Sequence, residues 1–270
     1  MLAPAKIPEE FLKWNQQWDA PFGTAWTKLI PRVCRYLPGL AKLCGYFAFQ
    51  TNNDTRVFEY PWVCSTLQSK TGTNILEIGG GVSGFQFMLD HIGYRVINVD
   101  PGKAAHGKGW PVTTGTIAAL NNQFASHVEL KNCFIEDAGI KDESIDHVIS
   151  ISTIEHIPDD DIQSILGHVH RVLKPGGVFI VTLDLFLDIQ PFSGQANNRY
   201  GKNVSTKWLV EQSGLNLVYG NPAELYGFPE FDGKEVYNNR EKYLVGGGYP
   251  AMVQMMVLQK SCDEHHATFT

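Results

Sequence analysis

The chain has 270 residues, 43% hydrophobic and 19% charged, which suits a globular protein with one large domain and room for a cap. A formal net charge of −6 argues against a general nucleic-acid binder. Cys34, Cys44, Cys64, Cys133 and Cys262 are scattered and form no C-x-x-C pair, which fits reduced thiols in a cytoplasmic protein better than a disulfide framework or a zinc site.

Met1 to Gln17 contains Glu9 and Glu10 and lacks the apolar centre of a signal peptide. No apolar run reaches the roughly 18–20 residues of a membrane span, so no membrane insertion is expected. Residues 1–62 are rich in aromatics and prolines and show no clear strand. Trp14, Trp18, Phe22 and Trp26 recur every four residues, which aligns them on one helical face, and Pro21 divides that face into two short helices. Ile30, Val33, Leu37, Leu40, Leu43 and Phe47 form a second stripe, interrupted at Pro38. An aromatic cap packed on the main domain is the expectation for this region; an interfacial membrane contact is the alternative.

From Thr73 onward strand and helix signals alternate, the pattern of βαβ units around a mainly parallel sheet. Strands are expected at 74–78, 94–99, 128–135, 146–152, 178–183, 215–219 and 252–259, and helices at 83–92, 114–126, 159–173 and 205–212. In the third of these helices Asp159 is the expected cap, and Ile162, Ile165, Leu166, Val169 and Val172 line one face. Lys174-Pro175-Gly176-Gly177 is expected to turn the chain into the fifth strand. Residues 184–204 and 220–250 are long connections, and such loops in compact domains commonly carry function. The expected domains are a helical cap over 1–62, a core over 63–260 and a polar tail over 261–270.

Gly79, Gly81 and Gly84 read literally as G-x-G-x-x-G between a strand and a helix, a turn that holds a nucleotide-like cofactor. Asp100 ends the second strand, where a carboxylate can bind a ribose diol. That much fits a dinucleotide oxidoreductase as well as other cofactors. Glu77, two residues before the first glycine, is unlike the apolar or small residue usual in a dinucleotide turn.

Four ordered segments then resemble the class I S-adenosylmethionine-dependent methyltransferases. Glu77-Ile78-Gly79-Gly80-Gly81-Val82-Ser83-Gly84 is similar to their E/D-x-G-x-G-x-G loop, with Ser83 at the third glycine position. Ile145-Asp146-His147-Val148 resembles their fourth strand, Ile154-Glu155-His156-Ile157-Pro158-Asp159 the segment after it, and Leu173-Lys174-Pro175-Gly176-Gly177 the turn before strand five. The resemblance implies a Rossmann-like α/β fold with a mainly parallel seven-stranded sheet and helices on both faces, to which the aromatic pattern of residues 1–62 adds a helical N-terminal cap. It implies S-adenosyl-L-methionine as cofactor, with Gly79, Gly80 and Gly81 close to its methionine and ribose, Glu77 near its amino group and Asp100 on the ribose hydroxyls. Adenine would meet one or more of Phe134, Ile135, Glu136 and Asp137, and Ser150 and Ser152 would face the cofactor or the transfer site. Arg56 and Tyr60 are candidates for its carboxylate.

Methyl transfer to a hydroxyl requires an aligned nucleophile and a group to take its proton. His156, after the fourth strand, and Asp184, after the fifth, are the candidate bases. Asp184 with Asp188 is alternatively a weak divalent-cation pair; no metal is expected. The chain has neither an N/D-P-P-Y/F/W segment after strand four nor a Pro-Cys dipeptide, so nucleobase methylation is not expected. The expected acceptor is a small molecule, O-methylated on a sugar or natural-product hydroxyl. The alternatives are small-molecule N-methylation, a cofactor-binding scaffold without catalysis, and a dinucleotide oxidoreductase.

Overall fold

A computed structural model describes residues 1–25, 39, 41–67, 71–106, 109 and 111–262. Its centre is β1 (Asn74–Ile78), in which Ile75, Leu76 and Ile78 form an apolar run interrupted only by Glu77. Such a run suits a parallel strand covered on both faces. It pairs in parallel with β2 (Arg95–Val99) on one side and β4 (Ile145–Ile151) on the other, so that Leu76 lies opposite both Ile97 and Val148. β3 (Glu129–Lys131) lies beyond β2, and β5 (Leu173–Phe186) beyond β4. β7 (Ala251–Gln259) runs antiparallel between β5 and β6 (Asn216–Tyr219), completing a seven-stranded sheet in the order β3-β2-β1-β4-β5-β7-β6. This is the expected Rossmann-like sheet. The strand order reverses between β1 and β4, which opens a crevice at their C-terminal ends.

The helices are α1 (Glu9–Trp18), α2 (Ala41–Cys44), α3 (Arg56–Thr66), α4 (Gly84–His91), α5 (Thr114–Phe124), α6 (Asp159–Val172), α7 (Thr206–Ser213) and α8 (Gly233–Asn238). On α6, Ile162, Leu166, Val169 and Val172 are fully buried in a core with Leu76, Val148 and Phe179. The other major core joins the N-terminal helices to α4. Phe11 meets Phe58 edge-on at 4.9 Å, Tyr60 stacks on Phe85 at 5.1 Å, and Trp14 packs on Phe47 and Phe85.

Several local expectations change. α6 begins at Asp159, but Pro158 occupies the cap position and no side chain caps it; the three aspartates of its first turn act through the helix dipole instead. Strand three is three residues long, and 135–137 forms a 3-10 turn rather than its end. Leu173–Gly177 is the start of β5 rather than a turn before it: Leu173 lies opposite Ile145, and Gly176, at φ +76°, donates its N–H to Lys260. A register irregularity between Ile145 and His147 accommodates that geometry. The connection over 220–250 contains α8, whose first turn is capped by Asp232 through Lys234 and Glu235 N–H. α3 runs across residue 62, where the cap was expected to end. Trp26, Ile30, Val33, Leu37, Pro38 and Leu40 lie outside the described residues. Among the described residues no helix is long and apolar enough to cross a membrane.

Leu166 is fully buried between α6 and the sheet, so Leu166→Ala removes packing that its surroundings cannot replace. It is expected to cost about 2–5 kcal/mol of stability, measured as a lowered urea midpoint at unchanged slope.

Candidate active site

The glycine loop is held from behind by side chains that its own sequence does not include. Asn98, fully buried in β2, accepts from Gly80 N (3.2 Å) and donates from Nδ2 to Gly81 O and to Gln86 Oε1, both at 3.0 Å. Gln86 in turn donates to Gly81 O and Ser83 O. Ser83, the residue at the third glycine position, is the α4 cap, with Oγ accepting from Phe85 N at 3.2 Å. Gly84 is required one residue later because a Cβ there would stand 2.4 Å from the Tyr46 carbonyl. Gly79 has φ +70°, and a Cβ on it would strike Thr153 at 2.2 Å.

A cavity of about 370 Å³ opens over this loop at the ends of β1 and β4. Gly79, Asp100, Phe134, Ile135, Glu136, Ser152 and His156 line it, as does Arg56. Glu77, Gly80, Gly81, Ser150, Tyr60 and Asp184 are not among its lining residues. Glu77 is buried against the loop, where a Cβ on Gly80 would lie 2.8 Å from Glu77 Oε2, and that oxygen has no hydrogen-bond partner. Burial, with the Asp100 charge nearby, pushes its carboxyl up to about 8. Asp188, the proposed partner of Asp184 in a cation pair, is exposed and accepts from Asn198 Nδ2.

Asp100 ties the two halves of the cofactor side together. Its Oδ2 accepts from Gly81 N at 2.8 Å and its Oδ1 from Gly102 N at 2.7 Å. Burial raises its carboxyl and these two bonds oppose that rise. A carboxylate offers about four acceptor positions, so capacity remains on the cavity side for a diol. Val99, Pro101, Phe134 and Ile135 give the same side of the cavity apolar walls. Volume, apolar walls and an acid at the end of β2 together fit an adenosine-bearing cofactor.

The other side carries a polar floor. Arg56 and Glu59 of α3 form a buried ion pair. Glu59 Oε1 accepts from Ser152 Oγ (2.7 Å) and from Thr182 Oγ1, and Arg56 also donates to Ser152 Oγ at 2.7 Å. Next to it lie two further buried carboxyls. Glu155 Oε1 accepts from Asp184 N at 2.9 Å, and Tyr249 Oη donates to Asp184 Oδ2 at 2.6 Å. Burial raises Asp184 to about 7 against the pull of Arg56, and burial followed by the Asp184 charge holds Glu155 well above the usual carboxylate range. His156 Nδ1 bonds the Tyr200 carbonyl, which can only accept, so the proton sits on Nδ1 and Nε2 is the basic nitrogen.

Tyr200, in the long connection over 184–204, lines the cavity, whereas sequence reading missed Gln50, Asn53, His106, Asp161 and Tyr249 of the lining. His106 packs on Phe134 at 4.7 Å and bonds Asp161 at 3.0 Å, although the two lie 55 positions apart. The one available signal was the Gly246-Gly247-Gly248 run, which lets Gly247 and Gly248 N–H reach Asp54 and Asn53, both at 3.1 Å.

A reversed strand order, a glycine turn at β1 and an acid at the end of β2 define a Rossmann-like protein that binds a nucleotide-type cofactor. Residues 76–181 match the family described as a methyltransferase domain. An uncharacterized methyltransferase of Mycobacterium tuberculosis is 23% identical over 198 residues, covering 63% of this chain and 70% of its own. A ubiquinone biosynthesis O-methyltransferase of Paramagnetospirillum magneticum is 28% identical over 117 residues, 43% of this chain and 42% of its own. Among solved structures, the YcgJ protein of Bacillus subtilis shares the fold at TM-score 0.53 and 15% identity, covering 75% of this chain and 98% of its own. The [4+2]-cyclase SpnF shares it at TM-score 0.54 and 14% identity, covering 90% and 98%. The chain carries a class I S-adenosylmethionine-dependent methyltransferase domain, and its cofactor is S-adenosylmethionine.

Asp100→Asn replaces one carboxylate oxygen by a donor that cannot accept from a backbone N–H or a ribose hydroxyl. It is expected to weaken binding of S-adenosylhomocysteine at least tenfold by calorimetry, the loss of one charge-assisted hydrogen bond. Glu77 holds in the folded state a proton that the unfolded chain releases near its ordinary value of 4.5. Its stabilising contribution is therefore complete below about 4.5 and is lost as the pH rises toward about 8. Glu77→Gln should flatten that decline, so that melting curves of variant and wild type are closer at pH 5 than at pH 8, where the variant melts higher.

Proposed function

We propose that this enzyme transfers a methyl group to a hydroxyl of a small, polar acceptor, a sugar or natural product, in a cytoplasmic setting. The observation that carries the reading is the wall facing the cofactor side of the cavity. It combines the aromatic rings of Tyr200 and Tyr249 with Asn52, Asn53 and His156. Asn53 Oδ1 accepts from Gly248 N at 3.1 Å, which fixes the Asn53 side of this wall against the segment carrying Tyr249. When bound, S-adenosylmethionine supplies an activated methyl on a sulfonium. The chain's own part is to seat the acceptor in line, exclude water and take a proton.

The candidate bases His156 and Asp184 fit this differently. His156 lines the cavity directly, whereas Asp184 lies behind Tyr249. Glu77, Gly79, Gly80, Gly81, Asp100, Phe134, Ile135 and Glu136 are assigned to the cofactor side, with Glu77, Gly80 and Gly81 shaping the loop and Asp100 making the ribose contact. Ser150 and Ser152 are assigned to the boundary between cofactor and transfer site, where Ser152 belongs to the polar floor. Residues 1–62 are read as a cap, and among its described residues Trp14 and Tyr60 pack on Phe85 and so fix α4 and the loop. The weak similarity to a ubiquinone biosynthesis O-methyltransferase supports hydroxyl chemistry, and the net charge of −6 supports a small molecule over a nucleic acid.

The test is incubation with S-adenosylmethionine and matched panels of polyhydroxylated and amine acceptors, followed by mass spectrometry. O-methylated products are expected. Methylation of amines alone would replace this reading with N-methylation. Binding of S-adenosylhomocysteine without turnover on either panel would favour a scaffold.

A further inference from the structure

We propose that Tyr249 is the group that takes the acceptor's proton, passing its own hydroxyl proton to Asp184 behind it. The inference rests on the hydroxyl-methylation reading above and deepens it.

The geometry has three parts. Tyr249 lines the cavity, and its ring is held by Tyr200 at 4.4 Å and Phe186 at 5.7 Å. Its hydroxyl donates to Asp184 Oδ2 at 2.6 Å, so the hydroxyl oxygen keeps its lone pairs for a donor on the cavity side. Asp184 is fully buried in β5, with Oδ1 free of any hydrogen-bond partner. Glu155, on the turn after β4, is equally buried and leaves Oε2 unpartnered. A carboxyl group enclosed in this way accommodates a proton more readily than a second charge. Asp184 is therefore an acceptor that receives its proton through a tyrosine, and no direct contact with the substrate is needed.

The step balances. A lone pair of the acceptor oxygen forms the new O–CH3 bond while the S–CH3 bond breaks, its electron pair remaining on the sulfur, which becomes a neutral thioether. The acceptor's O–H proton moves to Tyr249 Oη, and the Tyr249 proton moves to Asp184, converting carboxylate to carboxylic acid. Release of that proton to solvent after product leaves restores the starting state.

The groups facing Asp184 are Arg56 and Glu59 from α3, Glu155 from the turn after β4, and Tyr249 from the segment before β7. Arg56 is paired with Glu59, so the Asp184–Glu155 pair has no cation of its own and titrates as a unit. Asp184 accepts a proton only when ionised; burial raises its carboxyl above the usual carboxylate range, so turnover rises with pH as the Asp184–Glu155 pair loses its proton.

The test has two arms. In the first, infrared difference spectroscopy follows the carboxylic-acid C=O band of the protein without acceptor from pH 5 to 9. Glu77 and Glu155 contribute to this band as well, so the expected signature is a component titrating near neutrality that is lost in Asp184→Asn and displaced in Tyr249→Phe, which keeps the ring packing. A band that is the same in wild type and both variants overturns the relay. In the second, the hydroxyl compound with the highest turnover is assayed. Tyr249→Phe and Asp184→Asn should each lower kcat by roughly 10²-fold or more, the usual worth of positioned proton transfer. KM and S-adenosylhomocysteine affinity should stay within about threefold, and the acid limb of the kcat profile should disappear. Full kcat in Tyr249→Phe overturns the relay alone and leaves hydroxyl methylation standing. Failure of wild type on every hydroxyl compound overturns both.

Discussion

The ion pair between Arg56 and Glu59 is the contact on which the rest of the site depends. Removing two charges from water is costly, and their attraction offsets that cost only when further hydrogen bonds complete the pair. Here Ser152 at the end of β4 and Thr182 in β5 supply those bonds to Glu59, and Arg56 adds one to Ser152. The cluster thus joins the N-terminal helix α3 to two central strands. Because one face of Arg56 is cavity wall, the same bonds that anchor the helix define the floor of the site. Burial opposes the guanidinium's charge, but Glu59 and the carboxyls around it keep it protonated. With Arg56 and Glu59 satisfied by each other, Asp184 and Glu155 are left as an acidic remainder. That remainder gives the floor its affinity for a proton.

The cofactor side is built on a different principle. There the backbone does most of the binding, and side chains hold the backbone. Asn98 and Gln86 satisfy the carbonyls and amides of the glycine turn from behind, while Asp100 clips Gly81 to Gly102 across the mouth of β2. Glu77 is enclosed beneath Gly80, an acid kept neutral by its surroundings up to about pH 8. The loop is therefore shaped before any ligand arrives, which lowers the ordering cost of binding.

How much of this could be read in advance follows from the range of the interactions. β1 is Asn74–Ile78 as its apolar run implies, and α4 and α6 fall within a residue or two of their periodic stripes, because strand and helix periodicity are local properties. Gly79, Asp100, Phe134, Ile135, Glu136, Ser152 and His156 line the cavity because the motifs holding them sit at strand ends that the sheet brings together. Leu173–Gly177 was misread because proline and glycine signal a turn locally, whereas pairing of Leu173 with Ile145 and of Gly176 with Lys260 draws the segment into the sheet. Tyr249, Tyr200 and Asn53 had no periodic signature. Their roles arise only from contacts between segments far apart in the chain.

That separation bears on how the protein folds. The glycine turn and its helix close over a handful of residues, but the opposite wall depends on Gly247 bonding to Asp54 and Gly248 to Asn53, across 193 and 195 positions. Contacts of that span require the largest loss of chain entropy before they return any stabilisation, and they form slowly. The chain can thus hold a native-like nucleotide turn well before it has a second wall to press a substrate against it. Competence for catalysis becomes a late property of folding, acquired when the two distant segments meet.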